Sequence, residues 1–194
     1  MIPTSTGRTR YRPGRIIAAA ALVLCCLSPA RAQQDGLTPP KVEVKATFGA
    51  AGFGDEVSIP HVVAGGSLRF YVTRRLSVEP ELLYMRHSPN DQDYVFTPGV
   101  AYDLRDPTKR VVPYVVGGVG VMNHTGRFFG ADFETGQPRV FDTSFTTWSA
   151  GVGAGVKIFL TDRLFVAPEA RAGHEPTARG TVSIGYVISG RRRE

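Results

Sequence analysis

Beyond residue 40 the chain alternates. In 41–49, Val42, Val44, Ala46 and Phe48 interleave with Lys41, Glu43, Lys45 and Thr47. A period of two sends successive side chains to opposite faces, so this is a strand with one apolar and one polar face. The same signature predicts strands over 61–72, 76–86, 94–104, 144–160, 164–173 and 180–189. A glycine-rich run over 111–123 alternates less clearly and is read as the fifth of eight. The segments after the odd-numbered strands (51–60, 87–93, 124–143 and 174–179) read as the larger loops. Those after the even-numbered strands (73–75, 105–110 and 161–163) read as turns. An all-β, eight-stranded antiparallel up-and-down transmembrane β-barrel has this asymmetry, with short periplasmic turns and longer external loops. Closure is required because an open sheet would present two unpaired edges, which a bilayer does not tolerate.

One nine-residue stretch occurs twice. Residues 73–81 read Thr-Arg-Arg-Leu-Ser-Val-Glu-Pro-Glu, and residues 161–169 read Thr-Asp-Arg-Leu-Phe-Val-Ala-Pro-Glu. Six of nine positions are identical, 88 residues apart. Each copy follows a strand-like run and opens another, so each is predicted to be a tight turn feeding an outgoing strand. Pro80, Pro98, Pro113 and Pro168 fall inside predicted strands on the apolar face. Each lacks a ladder donor, and bulges or interfacial positions are expected there.

The first 32 residues lie outside this pattern. Arg8, Arg10, Arg12 and Arg15 precede a twelve-residue apolar run over 16–27, and Ala30-Arg31-Ala32 closes the segment. That order is a secretory signal peptide, with cleavage expected between Ala32 and Gln33. The run is shorter than the roughly 20 residues of a transmembrane helix. Cys25 and Cys26 both lie within it, so the mature chain has no disulfide or cysteine ligand to offer. Five of the 23 basic residues leave with it, and 18 basic against 17 acidic residues give a net charge of +1. This balance excludes a nucleic-acid surface read from charge. A polar leader is expected over 33–40, the barrel over 41–189, and a solvated charged tail over 190–194 containing Arg191, Arg192 and Arg193.

Alternation alone does not say which face looks outward, since a soluble lipocalin-like barrel has the same period with its apolar face around a cavity. Apolar-out is favoured by the export signal and by the small residues of the polar face, among them Gly99, Ala101, Gly151, Gly153, Gly155 and Gly185. It is also favoured by aromatic residues near both strand ends: Phe70 and Tyr102 at one, Tyr84, Tyr94, Phe96 and Trp148 at the other. The interior then holds Glu43, Lys45, Arg69, Glu79, Glu81, Asp103, Lys157, Glu169 and Arg171, five acids and four bases. Unpaired charge in a narrow, poorly hydrated lumen is costly, so these groups are expected to pair. Glu79 and Glu81, two apart on one face, offer the sharper reading of a catalytic carboxylate pair, but no nucleophile or metal site accompanies them.

His61, His87, His124 and His174 all fall at the loop ends, the first three pointing inward by parity and His174 outward. They are read as polar residues where the barrel meets water; a metal or pH-sensitive cluster is the sharper alternative. Segment 124–143, with Phe128, Phe129, Phe133 and Phe141, is the place for an external partner.

The Thr-x-Arg-Leu-x-Val-x-Pro-Glu repeat, the Val112-Pro113-Tyr114-Val115 strand start before Gly117-Gly118-Val119-Gly120, and the export signal together resemble the small bacterial outer-membrane β-barrel family of OmpA/OmpX transmembrane type. The resemblance spans the mature chain. It implies contact with outer-membrane lipid, insertion by the barrel assembly machinery, and a monomer. Family members often end the last strand in an aromatic residue; here Ser189 and a charged Gly190-Arg191-Arg192-Arg193-Glu194 follow Tyr186-Val187-Ile188. The expected function is structural or surface-interacting, non-enzymatic, with no catalytic, cofactor or metal residues and a lumen closed by its charges. A lipid-modifying barrel enzyme, a narrow pore and a soluble ligand-binding barrel are the alternatives.

Overall fold

A computed structural model describes residues 38–53, 59–131, 136–174 and 177–191. The predicted signal peptide, and the leader as far as residue 37, lie outside the described residues. Eight strands are present: β1 Pro40–Phe53, β2 Ile59–Tyr71, β3 Leu76–Ser88, β4 Asp91–Asp103, β5 Val111–Ala131, β6 Pro138–Phe159, β7 Leu164–Gly173 and β8 Thr177–Gly190. Each pairs antiparallel with its sequence neighbour, and β1 pairs with β8 to close the barrel. The shortest strand, β7, has ten residues, and about 9–11 tilted residues suffice to cross a bilayer.

The outward face is apolar. Val78, Val100 and Ile184 are 42%, 53% and 56% exposed, whereas Glu81 and Glu169 are 3% and 8% exposed. Phe70, Tyr102 and Tyr186 are exposed on the outer wall toward the short-turn end, and Tyr94, Phe96 and Trp148 toward the other end. A barrel with its apolar side chains outside and its carboxylates inside is suited to lipid, and is the reverse of a lipocalin-type arrangement.

The repeated sequence makes the same turn twice. Thr73 Oγ1 accepts from the N–H groups of Arg75 (3.3 Å) and Leu76 (3.0 Å), and the N–H groups of Val72 and Thr73 donate to Leu76 O. Thr161 Oγ1 accepts from Arg163 (3.3 Å) and Leu164 (2.9 Å), with Leu160 and Thr161 donating to Leu164 O. A hydroxyl that satisfies two donors of a four-residue turn is why threonine recurs at that position.

The prolines are accommodated without the expected bulges. The β2–β3 ladder passes from Ser67↔Glu81 to Phe70↔Val78, omitting the two pairs around Pro80 while the register holds. The β4–β5 ladder likewise passes from Phe96↔Val121 to Gly99↔Gly118 across Pro98, and β6–β7 from Gly155↔Glu169 to Ile158↔Val166 across Pro168. Pro80 and Pro98 face each other in the continuous β3–β4 ladder, so each directs its missing donor to the opposite neighbour. Pro113 sits at the end of the β4–β5 ladder, where its carbonyl accepts from Leu104 N–H (2.9 Å).

Three sequence readings are corrected. Segment 124–143 is not a polar loop: β5 and β6 run through most of it as one continuous ladder from Val111↔Ile158 to Ala131↔Pro138. Both faces of this part of the hairpin are largely exposed, so no apolar alternation marks it. Arg179 belongs to β8 rather than to a loop and faces the interior beside Glu81. Arg191 is not in a solvated tail but almost fully buried. Gly190 and Arg191 both take positive φ (86° and 50°), turning the chain under the barrel. There the guanidinium donates to Pro107 O (3.1 Å), Thr108 O and Lys109 O (3.3 Å each) and lies 3.1 Å from the Phe159 ring centroid.

Candidate functional site

The interior is layered. At the short-turn end Val112, Phe159, Phe165, Ala167 and Val187 form an apolar floor with Tyr114. These positions were hidden in sequence because β5 did not alternate clearly and Phe159 and Phe165 lie on the nominally polar face. A Cβ at Gly185 would collide with the Phe165 ring, and one at Gly155 would fall 2.6 Å from Tyr114 Cζ. These two glycines leave the volume the rings occupy.

Two charge clusters share the interior with this apolar group, the lower directly beside it: Glu43 pairs across from Val187, Lys157 from Val112 and Asp103 from Tyr114. The lower contains Glu43, Glu79 and Asp103 with Lys45, Arg69 and Lys157. Arg69 Nε donates to Glu79 Oε2 (2.6 Å) and Nη1 lies 3.5 Å from Asp103 Oδ1. Lys45 pairs with Glu79 at very short range. Lys157 Nζ reaches Glu43 Oε1 (3.2 Å), Asp103 Oδ2 (2.9 Å) and Tyr71 Oη (2.5 Å). Tyr71 Oη in turn donates to Asp103 Oδ2 (2.8 Å). The upper cluster contains Glu81 and Glu169 with Arg171 and Arg179. Arg171 spans Glu169 Oε1 (2.6 Å) and Glu81 Oε2 (3.1 Å), and Arg179 Nη2 donates to Glu81 Oε2 (2.9 Å). Tyr114 joins the two: its ring lies 4.6 Å from the Arg69 guanidinium and its hydroxyl donates to Glu169 Oε2 (2.7 Å).

The lower cluster thus holds three acids and three bases, the upper two and two. Arg179 is the fifth base missing from the sequence reading. Each cluster is neutral on its own, as burial in low dielectric demands. All nine charges expected in the lumen are there. Glu79 and Glu81, the possible catalytic pair, belong to different clusters, and each already engages two bases.

A second apolar layer of Val63, Leu83, Met85, Val95 and Met122 lies above the charges. The mouth carries three of the histidines. His61 is buried, with Nε2 3.3 Å from Asp91 Oδ2 and 3.7 Å from Asp93 Oδ2. His124 Nδ1 lies 2.7 Å from Asp93 Oδ1. His87 is exposed at the rim, its Nδ1 on Pro60 O (3.0 Å). His174 is exposed on the outer wall, as parity requires, and stacks on Trp148 at 3.7 Å between centroids.

The β5–β6 hairpin rises past its neighbours. The β6–β7 ladder begins only at Gly151↔Gly173, so 138–150 continue β6 for about 40 Å of strand beyond it. Arg127 Nε bonds Asp142 Oδ1 (2.7 Å) across the hairpin, which raises the Arg127 pKa above its ordinary value. Phe145 stacks on His124 (4.8 Å), and Phe129 is 74% exposed. Of the aromatics singled out in sequence, Phe133 lies outside the described residues.

Known proteins agree with this architecture. The N-terminal β-barrel domain of Pseudomonas aeruginosa OprF matches with a TM-score of 0.55 at 16% identity, over 77% of this chain and 98% of that one. Neisserial surface protein A matches with a TM-score of 0.58 at 14% identity, over 76% and 96%. Ail, the attachment invasion locus protein of Yersinia pestis, matches with a TM-score of 0.50 at 13% identity, over 76% and 96%. No curated protein sequence matches significantly. The family described as outer membrane protein beta-barrel domain matches residues 17–183. With its apolar wall, closed ring and ionised interior, this chain belongs to that family and is a protein of the outer membrane.

Proposed function

We propose that the protein is a non-enzymatic monomeric barrel, closed to ions, that strengthens the envelope and makes contacts outside the cell through its β5–β6 hairpin. The observation that carries the closed lumen is the pairing of the five acids with the five bases of the two clusters, packed among buried apolar side chains. An eight-stranded barrel leaves little more than side-chain volume inside, and a cation entering here would have to displace Lys157 or Arg69 from carboxylates. Reconstitution into planar bilayers tests this: no steps above baseline are expected, and regular ohmic conductance would refute closure.

The exposed Phe129, Val140 and Phe145 on a protruding hairpin support the surface role. An extended hairpin with a free-standing edge can take another strand or an apolar surface. Ail is named for attachment, and a comparable role here rests on this hairpin. Replacing 127–142 with a short turn should preserve heat-modifiable migration of the folded band and reduce binding of the bacterium to host cells or matrix proteins. Unchanged binding would remove the hairpin from the proposal.

A further inference from the structure

The external mouth assembles metal-ligand chemistry that the charge clusters below do not use. β2 contributes His61; β4 contributes Asp91 and Asp93, two residues apart and so on one face; β5 contributes His124 directly across from Asp93. One donor atom each from His61, Asp91 and Asp93 lie within 4.8 Å of one another. We propose that this is a binding site for one divalent transition cation such as Zn²⁺, with His61 Nε2 and the Asp91 and Asp93 carboxylates as ligands.

Three features carry the assignment. The first is spacing. Tetrahedral zinc with bonds of about 2.0–2.2 Å separates its donors by about 3.3–3.6 Å. His61 Nε2 stands 3.3 Å from Asp91 Oδ2 and 3.7 Å from Asp93 Oδ2. All three donor atoms lie within 4.8 Å of one another, so a shift on the order of 1 Å in the carboxylate side chains brings them onto a common centre. The second is how Asp93 is held. Its Oδ1 faces His124 Nδ1 at 2.7 Å while Oδ2 is turned toward His61. A carboxylate that spends one oxygen on a second histidine and offers the other is the outer support that metal ligands usually have. The third is rigidity. Phe53 lies edge-on to His61 (4.8 Å) and to His124 (6.4 Å), and Phe145, paired with His124 across the β5–β6 ladder, stacks on it (4.8 Å). Both imidazoles are held in orientation by apolar rings rather than left to solvent.

Ligand type narrows the ion. One imidazole and two carboxylates, with no thiolate, suit Zn²⁺ and its neighbours better than Cu⁺, while the imidazole disfavours Mg²⁺ and Ca²⁺. The fourth position is left to water at the partly exposed Asp91 side. Two aspartates of like charge meeting at the mouth, one of them buried, also gain from a cation between them.

The test is zinc titration of the full chain, purified folded in detergent with a histidine-free tag, followed by calorimetry and by competition with a chromophoric chelator. One Zn²⁺ per chain is expected. His61→Gln and Asp93→Asn should each weaken binding more than about 10-fold, and His124→Gln by about 10- to 100-fold. His174→Gln, on the outer wall, should change nothing. Zinc should also raise the temperature at which the compact gel band is lost, in the parent and not in His61→Gln. If Asp93→Asn does not fold, Asp91→Asn at the rim reads the same site. No stoichiometric binding to the folded barrel overturns the proposal, as does binding that survives His61→Gln combined with Asp91→Asn or that is abolished by His174→Gln.

Discussion

Replacing Lys157 by methionine keeps the bulk of the side chain and removes one interior charge. The ammonium is fully buried and touches Glu43, Asp103 and Tyr71. Without it the lower cluster holds three carboxylates against Lys45 and Arg69. Arg69 reaches Asp103 only at 3.5 Å and Glu43 at 4.0 Å, too far to take over both. Removing one partner of a buried pair costs about 3–5 kcal/mol, which lowers the folded-to-unfolded ratio by roughly two to three and a half orders of magnitude. Adding Asp103→Asn removes the stranded charge as well and restores neutrality. The double variant should recover most of the loss, with a coupling of at least about 2 kcal/mol. Urea titration in lipid vesicles, read by tryptophan fluorescence and by gel migration, measures all four corners of the cycle. A cost below about 1 kcal/mol for Lys157→Met alone, or additive effects, would mean that the lumen is hydrated enough to screen its charges, and the argument from neutrality would fail.

Three further outcomes are expected. Arg191→Ala should lower stability by about 2–4 kcal/mol, because three carbonyls lose a charged donor and Phe159 loses the cation above it; the unfolding midpoint in urea reads this. Gly155→Ala should destabilise by about 1–3 kcal/mol through collision with Tyr114, and Tyr114→Leu in the same chain should recover part of it in the same titration. At the 104–110 turn, partial burial works to raise the Asp106 pKa, but the Thr108 N–H and hydroxyl and the Arg74 guanidinium outweigh it and hold the carboxyl below its ordinary value. Its contribution is therefore complete above the ordinary aspartate range and fades as pH falls through the lowered pKa. Asp106→Asn should remove that acid-side slope, by well under about 1 kcal/mol at so exposed a site, as measured by urea midpoints across acidic pH.

The barrel was legible because period-two alternation is imposed by geometry wherever lipid meets one face, and Val42 to Phe48 or Val182 to Ile188 show it plainly. The nine lumen charges followed from the same parity. Arg179 was missed because Gly180 and the neighbouring turn formers mask the start of β8, and Arg191 because a basic run at a chain end carries no sign of the carbonyls that 107–109 present to it. The mouth histidines were located by parity, but their company was not: Asp93 meets His124 across one ladder and His61 two strands away, a relation that depends on register. The hairpin beyond residue 124 failed for another reason. Outside the hydrocarbon both faces of a ladder meet water, so the alternation that marks a strand is no longer required.

The three ladders interrupted at Pro80, Pro98 and Pro168 are the ones closed by the 72–75, 104–110 and 160–163 turns. The ladders within β1–β2, β3–β4, β5–β6 and β7–β8 show no such gap. The wall is therefore four zipped ribbons stitched edge to edge. The joint between β8 and β1 runs unbroken from Glu43↔Val187 to Phe53↔Thr177, and the stitching is weaker at the other three of the four joints. Breathing of the cylinder, whether followed by deuterium uptake or by the pull of a bilayer of unsuitable thickness, should begin along those joints and leave the ribbons whole.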